Sequence, residues 1–257
     1  MCYCIRAQAN ALPSSFAIAD ASTARTDRWY AFQNPASLVQ TAKWQVAAQY
    51  ENRYLTAELS TALVQAAYCN SYVNVGMGVS FFGFAEYHEL MATVTLARRF
   101  GLFSLGLVAD VISVYTGPTL GYCTTAVPQI GFTIDATPNL TIGIQTFNPF
   151  IQKLKTGSNK RALPAVYAVA TDWRFYKGLR WDFQAEYDAS STFRIATGLE
   201  WQAIEQLCLK AGVYYKQYLV PCLGIGVNLS GFCFDVNAAL HPVLGVTLAG
   251  RIAYSWR

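Results

Sequence analysis

The sequence predicts an all-β fold: a 14-stranded antiparallel transmembrane β-barrel with an N-terminal plug segment on its periplasmic side. Three observations predict it. The C-terminal run alternates strictly. Val246, Leu248, Gly250, Ile252, Tyr254 and Trp256 share one face, and Thr247, Ala249, Arg251, Ala253, Ser255 and Arg257 share the other. A closing barrel strand in a membrane has this pattern, because its apolar face meets lipid and its polar face the lumen. Second, the 257 residues are 53% hydrophobic and 14% aromatic but only 13% charged, against about 25% charged in an average soluble domain. No segment offers the ~18 consecutive apolar residues of a membrane-spanning helix, so the hydrophobicity is spread over alternate positions. Third, five of the six tryptophans fall at strand ends of one parity.

Taken in chain order, residues 1–9 read as the remnant of a signal peptide. Arg6-Ala7-Gln8-Ala9 resembles its small-residue end, and the apolar stretch is missing. Residues 10–43 do not read as strand and form the plug segment. Residues 44–257 form the barrel, with strands expected at 44–52, 55–68, 71–84, 89–99, 102–115, 123–135, 140–148, 162–176, 179–188, 192–203, 207–217, 219–229, 232–241 and 246–257. An even count places both ends of the barrel on one side, the periplasmic side of a Gram-negative outer membrane. Every second connection is then tight, and the longest, Pro149 to Arg161, is extracellular. The same parity gathers Trp44, Trp173, Trp181, Trp201 and Trp256 into a periplasmic aromatic belt, where amphipathic rings prefer to sit.

The alternation also sorts the faces. On 179–188, Trp181, Phe183 and Tyr187 alternate with Arg180, Asp182, Gln184 and Glu186. A charge facing lipid at mid-membrane costs about 2–4 kcal/mol, so the charged set lines the lumen. That set comprises Glu58, Asp110, Asp135, Asp172, Arg174, Arg180, Asp182, Glu186, Arg194, Glu200, Lys210, Asp235 and Arg251. Both signs are interleaved, which suits ion pairs across strands or with a plug. A single-sign pore is disfavoured, and so is an apolar path for hydrophobic molecules.

Other classes of function are disfavoured by what the chain lacks. The seven cysteines include no C-x-x-C and suit no zinc site, so no metal or cofactor is expected. A dispersed net charge of +4 gives no nucleic-acid surface. His88 and His241 sit in separate turns with no serine signature, so no enzyme is expected.

Asp27-Arg28-Trp29-Tyr30-Ala31-Phe32-Gln33-Asn34-Pro35-Ala36-Ser37-Leu38 stands just before the first strand. This Asp-x6-Asn-Pro-Ala-x-Leu pattern resembles the FadL-like outer-membrane proteins, nearest to the PorV/PorQ branch associated with type IX secretion. The glycines of that family's preceding stretch are absent from Phe16-Ala17-Ile18-Ala19-Asp20-Ala21-Ser22. The resemblance implies that Asn34, Pro35 and Ala36 fix the plug. It further implies a non-enzymatic subunit of an outer-membrane complex for protein secretion or barrel assembly, with other proteins of that machinery as partners. The alternative is a FadL-like transporter of hydrophobic small molecules. Outer-membrane lipid surrounds the barrel. Lys153, Lys155, Lys160 and Arg161 form a basic extracellular loop suited to lipopolysaccharide phosphates.

Overall fold

A chain with apolar residues at alternate strand positions can keep them outward only if its sheet has no open edge. Closure pairs every strand and leaves no backbone group facing lipid unpaired. The computed structural model describes residues 12, 15, 18–40, 42–156, 159–189 and 192–256. The expected signal-peptide remnant at residues 1–9 lies outside them. Fourteen strands form one closed antiparallel barrel in chain order. They are β1 (Trp44–Asn52), β2 (Ser60–Tyr68), β3 (Asn74–Gly83), β4 (Tyr87–Phe100), β5 (Phe103–Thr116), β6 (Tyr122–Thr137), β7 (Leu140–Phe147), β10 (Val166–Tyr176), β11 (Leu179–Asp188), β12 (Thr192–Ile204), β13 (Leu207–Tyr215), β14 (Leu219–Leu229), β15 (Phe232–His241) and β16 (Gly245–Trp256). Closure brings β1 onto β16, with Trp44 opposite Trp256 and Tyr50 opposite Gly250. No helix among the described residues is long and apolar enough to cross a membrane.

The faces fall as the alternation requires. On β16, Leu248 and Ile252 are exposed, while Ala249, Arg251 and Ala253 are buried. On β11, Trp181, Phe183 and Tyr187 are exposed, while Asp182 and Gln184 are buried. Trp44, Trp173, Trp181, Trp201 and Trp256 are all exposed and lie at one end of the barrel. Trp44 stacks on Trp256 with ring centroids 6.0 Å apart, and Trp173 meets Trp181 at 6.1 Å. This end is the tryptophan rim. Its connections are tight, five of them two residues long. Gly101, Gly178 and Gly231 take the positive φ that short hairpin turns demand. The opposite, loop rim carries the longer connections.

Two features of the loop rim differ from expectation. Glu58 was expected in a strand starting at residue 55, facing the lumen. Tyr54 and Leu55 instead take left-handed backbone, with φ of 57° and 53°, which breaks the pleat. Short 3-10 turns cover Arg53–Leu55 and Ala57–Leu59, and β2 begins only at Ser60. Glu58 is therefore exposed on the rim and not a lumen charge. The long connection after β7 also contains two further strands, β8 (Lys153–Thr156) and β9 (Asn159–Ala162). They form a separate hairpin in which Lys155 is opposite Lys160 and Leu154 opposite Arg161. Lys153 is exposed at its base.

Candidate functional site

The lumen is the candidate site, and residues 18–40 occupy it. This stretch forms no strand, only 3-10 turns at Ile18–Asp20 and Pro35–Gln40. Its backbone must therefore find partners elsewhere. Gln65 on β2 accepts a hydrogen bond from the Ala31 N–H at 2.8 Å and donates to the Trp29 carbonyl at 3.0 Å. Gln184 on β11 accepts from the Thr23 N–H at 2.9 Å. Those two strands stand opposite each other in the barrel order, so the segment crosses the lumen from wall to wall. Trp29, Tyr30, Ala31, Phe32 and Leu38 are all buried.

The wall is shaped to receive it. Inward positions of several strands are glycine where the segment comes closest. A Cβ on Gly106 would stand 2.4 Å from the Pro35 carbonyl carbon, and one on Gly131 would stand 1.9 Å from Asn34 Oδ1. Gly143 has the Thr23 carbonyl oxygen at 2.2 Å from such a Cβ, and Gly198 has Ile18 Cγ2 at 1.9 Å. No side chain fits at these positions without moving the segment.

Asn34, Pro35 and Ala36 sit at the centre of this fit. Asn34 Nδ2 donates to the Thr23 carbonyl at 2.5 Å, and its Oδ1 accepts from the Ala36 N–H at 3.0 Å. The Ser37 hydroxyl donates to the Asn34 carbonyl at 2.7 Å. One fully buried amide thus ties two stretches of the segment together against β5 and β6.

On the opposite wall, charges hold the segment. Arg25 lies 2.9 Å from each of Asp27, Asp182 and Glu200. Arg180 bridges Asp27 at 2.8 Å and Asp172 at 3.1 Å. Arg28 reaches Asp235 at 3.1 Å, and Lys210 reaches it at 2.9 Å. Arg251 lies 3.6 Å from the same carboxylate and 4.8 Å over the Tyr30 ring. Five cations meet five carboxylates, so the cluster is neutral as a whole. The Asp27 side chain keeps 32% of its surface exposed; desolvation of the rest pushes its carboxyl up, but Arg180 and Arg25 beside it hold it well below the usual carboxylate range. A buried charge is tolerated only when paired in this way.

Most of the expected lumen charges belong to this cluster: Asp172, Arg180, Asp182, Glu200 and Arg251, with Lys210 and Asp235. Glu186 and Arg194 stand apart as a pair nearer the loop rim, 2.5 Å from each other. Arg194 also donates to the Ala19 carbonyl and covers the Tyr214 ring at 4.7 Å. Arg174 keeps its inward place on β10 but makes no ion pair among the described residues. Arg25, Asp27 and Arg28 were not among the expected site residues. The clue was present, since a strand set so charged needs counter-charges from within.

The other half of the lumen, β2–β7, is mixed: buried Gln65, Ser80, Glu89, Thr93, Asp110 and Gln129 point inward among apolar residues, and Asp110, an expected lumen charge, accepts a hydrogen bond from Gln129. Leu63, Phe82, Met91, Ile112, Val114, Val127 and Phe147 on β2–β7 all point inward and form one apolar cluster with Trp29, Phe32 and Leu38. Two cavities flank the segment. At the loop rim a cavity of ≈410 Å³ has apolar lining from Phe32, Phe147 and Val166, and charged lining from Asp20, Glu186 and Arg194. At the tryptophan rim a cavity of ≈330 Å³ is bounded by Asp27, Arg28, Cys233 and Arg251. On β16 the first reaches Ala249 and the second Arg251, successive inward positions. Tyr30 packs on Ala249 and lies under Arg251, between these two positions.

His88 stacks between Phe81 and Tyr115, and His241 lies against Tyr54 and Tyr218. No metal-holding cluster occurs among the described residues, and their five cysteines are free thiols.

No protein-family model and no curated protein matches the sequence. Solved structures do. The Pseudomonas putida toluene transporter TodX superposes with a TM-score of 0.69 at 9% identity, covering 96% of this chain and 99% of that one. A Pseudomonas aeruginosa FadL homologue superposes at 0.64 and 11% identity, covering 92% and 98%. The monoaromatic hydrocarbon channel CymD superposes at 0.63 and 12% identity, covering 87% and 91%. These likenesses are of fold: the chain forms a FadL-like β-barrel.

Proposed function

We propose that this protein is an outer-membrane channel for uptake of small hydrophobic molecules, with residues 18–40 as its plug and both termini facing the periplasm. The observation that carries the reading is the apolar cluster on one side of the lumen, running from Phe147 beside the loop-rim cavity to Ala67 and Ala97 towards the tryptophan rim among buried polar groups such as Gln129, Asp110 and Thr95. Apolar lining with a few placed polar groups is what a pocket for such a ligand needs. The fold shared with hydrocarbon channels supports the same role. In the sequence, the resemblance to the PorV/PorQ branch put a secretion or assembly subunit first, and the charged lumen counted further against uptake of hydrophobic molecules. The charges serve instead to seat the plug on one side. The exposed apolar outer face supports a lipid setting. The hairpin of β8 and β9 and its base carry Lys153, Lys155, Lys160 and Arg161, and lipopolysaccharide phosphate is the counter-ion proposed for them. Reconstitution into liposomes tests the main reading: toluene should enter protein-bearing vesicles faster than empty ones. Equal rates for both would sink it.

A further inference from the structure

We propose that Arg251, with Arg28, forms a binding site for a small carboxylate in the cavity at the tryptophan rim. Arg251 is 4% exposed, and none of its three guanidinium nitrogens has a hydrogen-bond partner among the described residues. Its contacts are Asp235 at 3.6 Å and the face of Tyr30 at 4.8 Å. A guanidinium offers five N–H donors in a planar fork, and buried donors left unmet are costly. Such a group calls for an acceptor with two oxygens in one plane, which a carboxylate supplies bidentately.

The surroundings select an anion. Asp235 is shared by Arg28, Lys210 and Arg251, three cations to one carboxylate. Beside it, on the adjoining strands β10–β12, Arg25 and Arg180 face Asp27, Asp172, Asp182 and Glu200, and Lys210 also stands 3.9 Å from Glu200. The neutral cluster is therefore polarised, with its positive side towards β13–β16. The ≈330 Å³ cavity opens on that side, bounded by Arg28, Arg251, Asn228, Cys233 and Ser255. Asp27 also borders it, but its carboxylate is taken up by Arg25 and Arg180. The volume lies at the low end of the ~300–1,000 Å³ of small-molecule pockets, which suits an acid of benzoate size. This site deepens the channel reading and rests on it: the anion is a molecule in passage.

Calorimetric titration of the full chain in detergent with sodium benzoate tests the site, with benzyl alcohol as the neutral match. Benzoate should bind at least about tenfold more tightly than the alcohol, a charge-assisted difference. Arg251→Gln should abolish that preference, and Arg251→Lys, which keeps the charge but not the planar fork, should retain only part of it. Arg28→Gln, at a partly exposed position, should weaken benzoate binding in a barrel that keeps its fold even if Arg251→Gln does not. Equal binding of acid and alcohol, no benzoate binding, or indifference to both glutamine variants would overturn the site. Toluene uptake is scored separately. Benzoate binding without toluene uptake sinks the channel reading and keeps the site, and the converse result sinks the site alone.

Discussion

Asn34 and Gly131 fit each other with no space between them: a Cβ on Gly131 would stand 1.9 Å from Asn34 Oδ1. The same oxygen accepts from the Ala36 N–H, so it cannot move without opening the turn that starts Pro35–Gln40. Gly131→Ala is therefore an overpacking change, expected to cost about 1–3 kcal/mol. Thermal unfolding in detergent should fall, and limited proteolysis should cut within residues 18–40 sooner. Adding Asn34→Ala should recover part of the loss by removing the clashing oxygen. Unchanged unfolding and cleavage in Gly131→Ala would show that the segment is not seated there.

Arg25 neutralises two carboxylates that have almost no solvent. The side chains of Asp182 and Glu200 are 1% and 8% exposed. Arg25→Gln leaves both with fewer cations, and breaking a buried pair by removing one partner costs about 3–5 kcal/mol. A second change, Glu200→Gln, should restore a share of that, and a double-mutant cycle on unfolding free energies measures the coupling. Strict additivity of the two changes would mean that Arg25 does not hold the segment through Glu200.

The barrel was legible in the sequence because lipid imposes a period of two on every strand. Nine-residue β1 and ten-residue β11 and β15 carry that period from end to end. The lumen was less legible. Inward Ser80, Thr93 and Asp110 alternate with apolar outward residues, but inward Phe82, Met91 and Ile112 are as apolar as their outward neighbours Phe81, Leu90 and Val111, so the apolar members of the inner face carried no mark of their own. The glycine seats were invisible for another reason. A glycine such as Gly198 reports that something approaches closely, but not that it is Ile18, 180 residues away in the chain. The segment's own Arg25 and Asp27 carried no periodic signal, and their partners on β11 and β12 are set by tertiary geometry alone.

Five exposed tryptophans on one rim define a depth. Rings of this kind rest where the hydrocarbon meets the wet edge, so Trp44, Trp173, Trp181, Trp201 and Trp256 should share one interface, while buried Trp29 lies away from lipid. Fluorescence of the barrel in vesicles should be quenched more by lipids labelled near the headgroup than by lipids labelled at the chain end. Replacing Trp173 and Trp181, which touch each other, should remove a matching share of the quenchable signal. Stronger quenching from the chain end would place this rim within the membrane core.

Asp20 makes the seating of the segment depend on pH. Burial pushes its carboxyl up from 3.8 to about 6, against the pull of Arg194 and with Glu51 and Glu186 adding to the rise. An acid whose folded value lies above its unfolded value favours the folded state when protonated. Its contribution is thus full below the ordinary 3.8, declines as pH rises towards about 6, and is least favourable above that. The turn Ile18–Asp20 packs on β12 and β13 at the loop-rim cavity, so ionisation of Asp20 loosens the segment where it meets that cavity. Asp20→Asn keeps the shape and cannot ionise. It should flatten the fall in thermal stability between about pH 4 and about pH 6 and raise stability at neutral pH. Matching pH curves for the two proteins would show that Asp20 titrates without consequence for the seat.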